Sequence, residues 1–226
     1  GADGSRVMTV SFGVIHQAPS AAPTWQCPAA FGASTAALNR SVVSHGGAYF
    51  LLSDGGVRRS ADGRCGWQAE TLPPGVAVQL AAVGDALWLL MQLDDASVLL
   101  RRKSQAWVGV TLPVGVVVEG IHAGPKPERL WAAGQLSGTA GGGTGGNDTG
   151  GNDTGVVLIS DDAGVTWQSR PLPAAEFAQT TFAPLAGHPS QPTLLLVRAQ
   201  SALKVDRVLR STDDGLTWTT ILSPSA

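Results

Sequence analysis

VLISDDAGVTWQSRPLP, residues 157–173, contains the pattern S-x-D-x-G-x-T-W, and the same pattern returns later in the chain. The residues of the two copies are Ser160, Asp162, Gly164, Thr166 and Trp167, then Ser211, Asp213, Gly215, Thr217 and Trp218. Serine and aspartate side chains hydrogen-bond their own backbone in turns, and glycine supplies a positive φ. Threonine and tryptophan are favourable strand residues, and the tryptophan brings a large apolar body. Each copy therefore predicts the tip of a β-hairpin.

Tryptophan recurs along the chain at a spacing close to 40–50 residues. Trp25, Trp67, Trp107, Trp167 and Trp218 are separated by 42, 40, 60 and 51 residues, and the last four are followed six positions later by proline. A period of this size with hairpin chemistry is typical of four-stranded propeller blades. The sequence therefore predicts an all-β fold of about five such units, over residues 1–226 as one propeller domain or a segment of one. We expect each blade to bury its tryptophan and its apolar second strand.

The repeated pattern resembles the Asp-box (BNR) repeat of sialidase-like β-propellers. The stretch from Gly187 to Trp218 is also similar to the units of sortilin-like and photosystem-assembly-like propellers, and the resemblance covers roughly Phe12 to Leu222. It implies that Asp162 and Asp213 stabilise turns on the periphery, away from an active face. Two arrangements stay open: five units that close by themselves, or a segment of a six- or seven-bladed ring. We favour the segment.

The two cysteines carry information about the cellular compartment of the protein. In a reducing compartment Cys27 and Cys65 would be two free thiols, whereas in an exported protein they would form one disulfide bond. Their placement near Trp25 and Trp67 resembles exported bacterial Asp-box proteins, which implies a disulfide and a secreted, periplasmic or cell-surface location. Formal net charge is −2 with scattered basic residues, and no run of 18 apolar residues exists. These observations argue against a nucleic-acid partner and against a membrane span.

No cofactor or metal site is expected from the sequence. His45, His122 and His188 each precede a turn into a second strand, but they belong to different blades and no acidic partner repeats with them. The insertion at residues 137–155 repeats GGNDTG, and its glycine-rich composition predicts a flexible loop.

Catalysis is weakly supported. The sialidase Phe/Tyr-Arg-Ile-Pro motif is absent, and the single tyrosine, Tyr49, lies in an apolar run. Propeller glycosidases of other kinds need two carboxyl groups at a suitable separation. The candidate acids on the face opposite the turns, which is also the candidate ligand face, are Asp54, Asp94, Asp95, Glu176 and Asp206.

The leading functional hypothesis is therefore a non-catalytic exported module that binds or scaffolds a protein or glycan, with association through strand edges as a further option. The alternative is part of a glycoside hydrolase, sialidase-like or of another propeller family. A third hypothesis, an assembly factor for a membrane complex, would need a coherent charged patch that the scattered arginines do not supply.

Overall fold

The computed structural model describes the chain over most of its strands and turns. The described residues are 6–10, 13–17, 20–26, 41–53, 56–63, 66–94, 96–124, 126, 128–136, 154–173, 180–188, 191–201 and 206–222. Over these residues the protein consists of strands and turns, without a helix. The all-β prediction is confirmed.

The nineteen strands of the described chain form five antiparallel sheets in which sequential strands are neighbours. The first sheet has three strands, β1 (Arg6–Val10), β2 (Gly13–Gln17) and β3 (Thr24–Gln26). The second has β4 (Ser41–His45), β5 (Ala48–Ser53), β6 (Gly56–Ser60) and β7 (Gln68–Ala69). The third has β8 (Val76–Val83), β9 (Ala86–Leu93), β10 (Ala96–Lys103) and β11 (Ala106–Val110). The fourth has β12 (Val116–Ala123), β13 (Leu130–Leu136), β14 (Thr154–Ser160) and β15 (Gln168–Pro171). The fifth has β16 (Thr180–His188), β17 (Gln191–Ser201), β18 (Asp206–Ser211) and β19 (Thr219–Leu222).

The chain divides into two compact units. Unit 1 comprises residues 1–95 and 100–108, and unit 2 comprises residues 96–99 and 109–226. Unit 2 contains the whole of the fourth and fifth sheets, and with them both S-x-D-x-G-x-T-W turns.

The second strand of each four-stranded sheet carries the most apolar sequence and forms most of the core. All six residues of β5 are buried, and so are the first six of β9 and the first five of β13. A strand with neighbours on both edges and sheets on both faces is apolar at every position, and does not alternate. The predicted four-stranded antiparallel blade is confirmed for four sheets. Its buried second strand is confirmed for three of them, whereas burial alternates along β17, where Leu195, Val197 and Ala199 are buried.

The tryptophans that set the repeat are less buried than expected. Trp25 is 55 % exposed and Trp67 9 %, while Trp107, Trp167 and Trp218 are half-buried. The expectation that every blade buries this tryptophan is therefore wrong, because the outer strand lies at the edge of its sheet and leaves part of the indole facing water. The fully buried tryptophans are two others, Trp88 of β9 and Trp131 of β13.

Unit 2 has a continuous apolar core between the fourth and fifth sheets. Its buried members are Trp131, Ala133, Val157, Ile159, Leu172, Phe182, Leu195, Val197, Ala199 and Leu209. The Phe182 ring fits against the backbone of Gly155, where an added Cβ would come within 2.5 Å of the ring. This contact requires glycine. Thr154 and Gly155 lie inside the stretch predicted as a loop, but they belong to β14, where they pair with Leu136 and Gln135 of β13.

Candidate functional site

The turn from Ser160 to Trp167, the first turn, is built around one buried hydroxyl and one carboxylate. The Ser160 hydroxyl is buried; it donates to Asp162 Oδ1 (2.8 Å) and accepts from the Gly164 N–H (2.7 Å). Asp162 in turn accepts from the backbone N–H of Thr166 (2.8 Å) and from its hydroxyl (2.5 Å). Ala163 and Gly164 both have positive φ, 55° and 82°. The serine, aspartate and threonine side chains of the pattern are thus used inside the turn itself, whereas the Trp167 indole N–H donates to the Thr111 carbonyl outside it (3.1 Å).

The turn from Ser211 to Trp218, the second turn, repeats this network. The Ser211 hydroxyl donates to Asp213 Oδ1 (2.8 Å) and accepts from the Gly215 N–H (2.8 Å). Asp213 accepts from the Thr217 N–H (2.9 Å) and from the Thr217 hydroxyl (2.6 Å). A remnant survives after β6, where the Ser60 hydroxyl donates to Asp62 (3.0 Å) and accepts from the Gly63 N–H (3.0 Å).

These hydrogen bonds lower the pKa of both turn carboxyls to about 2. For Asp162 the main cause is the Thr166 hydroxyl, followed by the Thr166 N–H. For Asp213 the corresponding groups are the Thr217 hydroxyl and N–H. A carboxyl stabilised in its ionised form is a poor proton donor near neutral pH. The geometry suits turn stabilisation and does not suit acid catalysis.

A cavity lies in unit 2 toward the end of the sheets opposite the two turns, which we call the opposite end. Its volume is about 190 Å³, and it is lined by Glu119, Thr181, Phe182, Ala183, Arg198 and Gln200. Thr181 and Ala183 face Gln200 and Arg198 as direct partners across β16 and β17. Because side chains alternate along a strand, residues two apart share one face of the sheet. One side of the cavity is therefore formed by two neighbouring rows of side chains, one from β16 and one from β17, and the other side is formed by β12.

Glu119 reaches the cavity because β12 is irregular at this position. Its pairing with β13 shifts register between Val118 and Gly120, which leaves Glu119 as the extra residue of a β-bulge. The Glu119 carboxylate accepts a short hydrogen bond from the Phe182 N–H of β16 and another from the Gln135 amide (3.1 Å). Glu119 therefore connects the first strand of the fourth sheet to the first strand of the fifth.

Asp206 organises the other wall of the cavity without lining it. Its carboxylate accepts hydrogen bonds from Arg198 Nε and Nη2 (3.0 Å each) and from the Gln200 amide (3.0 Å). The hydrogen bond and charge of Arg198 lower the pKa of Asp206 despite some opposing desolvation, and Asp206 in return raises the pKa of Arg198. Asp206 is therefore ionised at neutral pH and holds two side chains in place.

The predicted site residues are only partly within the described structure. Asp94 is exposed in the turn between β9 and β10, in unit 1, and Asp206 starts β18 in unit 2. Five other predicted residues lie outside the described residues, namely Asp54, Asp95, Glu176, Cys27 and Cys65, as do residues 137–153 of the predicted loop.

The histidines predicted in turns lie at or near strand ends. His45 and His188 end β4 and β16, and His122 is the next-to-last residue of β12. In the part of the chain that is described, no three histidine, cysteine or acidic side chains come close enough to hold a metal ion. No helix among the described residues is long and apolar enough to cross a membrane.

Sequence reasoning missed Glu119, Arg198 and Gln200. The signal for Arg198 and Gln200 was their spacing, since residues two apart lie on one face of a strand and Asp206 begins the next strand. For Glu119 a weaker signal existed: a single acid interrupts the apolar run Val116–Ile121, and such an interruption often marks a bulge or a functional position.

Comparison with known proteins identifies the fold. No protein-family model matches the chain, and no curated protein matches it. Among solved structures it is similar to the GH74 xyloglucanase from Xanthomonas campestris, with a TM-score of 0.58 at 16 % identity over 95 % of this chain and 34 % of the enzyme. Trypanosoma rangeli sialidase gives a TM-score of 0.54 at 14 % identity over 89 % of this chain and 40 % of the enzyme. YCF48 bound to D1 peptide gives a TM-score of 0.57 at 16 % identity over 93 % of this chain and 61 % of YCF48.

At these identities the likeness shows the fold, a sialidase-like β-propeller built from four-stranded antiparallel blades. The chain spans 34 % of the xyloglucanase, 40 % of the sialidase and 61 % of YCF48, and it spans 24 % of an ancestral GH74 enzyme to which it is also similar. The same fold serves glycoside hydrolases and a propeller that binds a peptide, so function has to be argued from the site.

Proposed function

We propose that this chain is a non-catalytic binding module whose ligand surface lies at the opposite end of the fourth and fifth sheets. One observation carries the proposal: Glu119 and Asp206, the acids placed at this cavity, are both held by hydrogen-bond donors of the protein. A glycosidase acid needs a raised pKa, whereas the pKa of Asp206 is lowered. Groups fixed in this way suit recognition better than proton transfer.

The size of the cavity supports a protein or peptide ligand. A cavity of roughly 150 Å³ holds a molecule the size of benzene, and pockets for drug-sized ligands are roughly 300–1,000 Å³. At about 190 Å³ this cavity admits a group of side-chain size, not an oligosaccharide. YCF48, one of the similar structures, is bound to a peptide, and this chain covers more of YCF48 than of the xyloglucanase or the sialidase.

The test is a selection followed by a quantitative binding measurement. The purified chain is presented to a phage-displayed random peptide library, and an enriched peptide is synthesised with a fluorescent label for anisotropy titration. We expect saturable binding that weakens when Thr181→Trp fills the cavity, while Ser169→Trp on the exposed face of β15 leaves it unchanged. Saturable peptide binding insensitive to Thr181→Trp would place the ligand elsewhere and contradict the proposed surface.

The second candidate is part of a glycoside hydrolase, and the similarity to a xyloglucanase and a sialidase favours it. It predicts release of reducing sugar from xyloglucan or of sialic acid from a sialoside. We expect neither product above the level of a heat-denatured control. Turnover abolished by Asp206→Asn but not by Asp94→Asn would establish the enzyme and overturn the binding module.

Two further properties belong to the same proposal. The resemblance of the repeats to exported Asp-box (BNR) proteins supports a secreted, periplasmic or cell-surface location and a bridge between Cys27 and Cys65. The five tryptophan-centred repeats support a place within a ring of six or seven blades. The mass of the natural mature protein, together with its cell fraction, tests both.

A further inference from the structure

We infer that the cavity binds a neutral amide group, either a peptide bond or the carboxamide of a side chain, through Arg198 as donor and Gln200 as acceptor. This inference rests on the proposed function and deepens it, because it names the chemistry of the group that the ligand inserts.

The hydrogen bond to Asp206 decides which way the Gln200 amide points. An ionised carboxylate only accepts hydrogen bonds, so the Gln200 nitrogen must face it, as the 3.0 Å contact from Nε2 to Oδ1 records. The carbonyl oxygen of Gln200 is directed away from Asp206 and accepts no hydrogen bond from the described residues. Since Gln200 lines the cavity, this oxygen is an acceptor for a ligand N–H.

The same carboxylate also fixes the Arg198 guanidinium. Nε and Nη2 donate side by side to the two oxygens of Asp206, at 3.0 Å each, which is the bidentate geometry that orients arginine most firmly. Its third nitrogen, Nη1, has no partner within the described chain and carries two N–H donors. Arg198 lines the cavity with its side chain 43 % exposed, so these donors are accessible to a ligand carbonyl.

The charges around the cavity favour a neutral ligand. Asp206 already balances the charge of Arg198, while Glu119 adds a carboxylate to the lining. A ligand carboxylate would meet Glu119, and a ligand cation would meet Arg198. An amide presents one acceptor and one donor without charge, which matches Arg198 Nη1 and Gln200 Oε1. Ala183 provides apolar contact beside them.

Volume argues against a sugar, the other neutral group with donors and acceptors. A cavity of roughly 150 Å³ takes the six carbon atoms of benzene. A cavity of about 190 Å³ therefore fits the five heavy atoms of a small primary amide, whereas a pyranose has about twice as many.

The inference is tested with four small probes, without a known ligand. Propionamide, propionate, propylammonium and methyl xyloside are titrated into protein labelled with nitrogen-15, and the Gln200 side-chain amide and Arg198 Nε–H signals are followed by NMR. We expect saturable shifts with propionamide, with Kd on the order of 10 mM for so small a probe. Gln200→Leu removes one neutral hydrogen bond, and Arg198→Lys removes one charge-assisted hydrogen bond, so we expect each variant to bind propionamide about tenfold more weakly.

Two more variants separate the assigned roles. Arg210→Lys, on the exposed part of β18, is the control and should bind as the parent does. Asp206→Asn should shift the Gln200 signals before any probe is added and then weaken propionamide, because Asp206 is a positioning residue without ligand contact. Tighter binding of propionate, propylammonium or methyl xyloside would overturn the amide assignment, as would propionamide shifts unchanged in Gln200→Leu.

Failure of this inference and failure of the proposed function have different signatures. If a selected peptide binds the cavity while propionamide does not, the module stands and the amide assignment falls. If propionamide saturates the cavity but no peptide can be selected, the amide site stands and the proposed peptide-binding role falls.

Discussion

Ser160 and Ser211 show how a single side chain determines the geometry of a turn. Each serine is only 1 % exposed, and each hydroxyl both donates to the aspartate and accepts from the glycine N–H four residues later. A buried hydroxyl without these partners would destabilise the fold, as would the glycine N–H without an acceptor. The S-x-D-x-G spacing is therefore a set of mutually dependent hydrogen bonds, in which the aspartate is the member that responds to pH.

The turn carboxylates should make stability depend on acid pH. Their pKa is about 2 in the folded protein against 3.8 for an ordinary aspartate, so the folded state favours the ionised form. This stabilisation is complete above about pH 4 and is lost as pH falls toward 2. We expect Asp162→Asn and Asp213→Asn together to lower Tm at pH 7 and to flatten the decline of Tm between pH 4 and pH 2. An unchanged decline in the double variant, measured by calorimetry, would show that other carboxyls are responsible.

Neighbouring sheets are joined by side chains that reach the backbone of the next element. In unit 2, Ser97 accepts from the Val118 N–H of β12 (2.6 Å), and Glu119 accepts from the Phe182 N–H of β16. Both N–H groups belong to the first strand of a four-stranded sheet. This strand is an edge strand, so one of its two sides has no neighbouring strand in the sheet. An uncovered edge invites wrong pairing, so these acceptors both satisfy the edge and fix the spacing of the sheets.

Arg129 forms a second junction between the fourth and fifth sheets, at the end that carries the turns. Its guanidinium is buried, pairs with Asp161 (3.4 Å) and with Asp214 of the second turn, and lies 5.8 Å from the centre of the Trp131 ring. Asp214 is less buried than Arg129, and its N–H also donates to the Thr193 carbonyl (3.1 Å). The arginine thus ties both turns of unit 2 together.

Removal of Asp214 alone should therefore lower the free energy of unfolding more than removal of both Asp214 and Arg129. We expect Asp214→Ala to lower the free energy of unfolding by about 1–3 kcal/mol, because it leaves part of a buried cation without its acceptor. Arg129→Met fills a similar volume without charge, so it should recover part of that loss in the double variant. Urea unfolding of the two single variants and the double variant measures the coupling. Additive losses would show that the pair contributes no interaction of its own.

Local sequence predicts the strands well where the apolar run and its turn agree. The apolar run AYFLLS and the following GVRRS predict strands over Ala48–Ser53 and Gly56–Ser60, and these are the bounds of β5 and β6. The run Trp67–Leu72 predicts the outer strand of the same repeat, but β7 is only Gln68–Ala69. In the pattern before it, Arg64 replaces the glycine and Gly66 replaces the threonine that organise the intact copies. The cavity was beyond local prediction, because it depends on a bulge in β12 meeting two strands that follow about 60 and 80 residues later.

For the molecule as a whole, two structural roles can be assigned to separate ends of unit 2. At one end the charged groups of the turns and of Arg129 pair with each other. At the other end Arg198 Nη1 and Gln200 Oε1 have no partner among the described residues, and we propose that the ligand binds there. Evolution of a binding site is easiest where the scaffold is already held elsewhere, because the site's groups need not also maintain the fold. The repeated turns of the propeller fold account for the contacts at the first end. The arrangement at the second end depends on the particular side chains present there.

The proposed bridge between Cys27 and Cys65 belongs to this scale, since it would close a long loop between the first and second repeats. A disulfide stabilises mainly by restricting the unfolded chain. We expect a reductant to lower the free energy of unfolding by about 2–4 kcal/mol, within the usual range for such a bridge. The Cys27→Ser, Cys65→Ser double variant is the matched control, and its unfolding should not respond to reductant. Mass spectrometry of unreduced protein from an oxidising compartment should find the parent chain two hydrogen masses lighter than its sequence. Two free thiols there would contradict the bridge and remove the main support for an exported location.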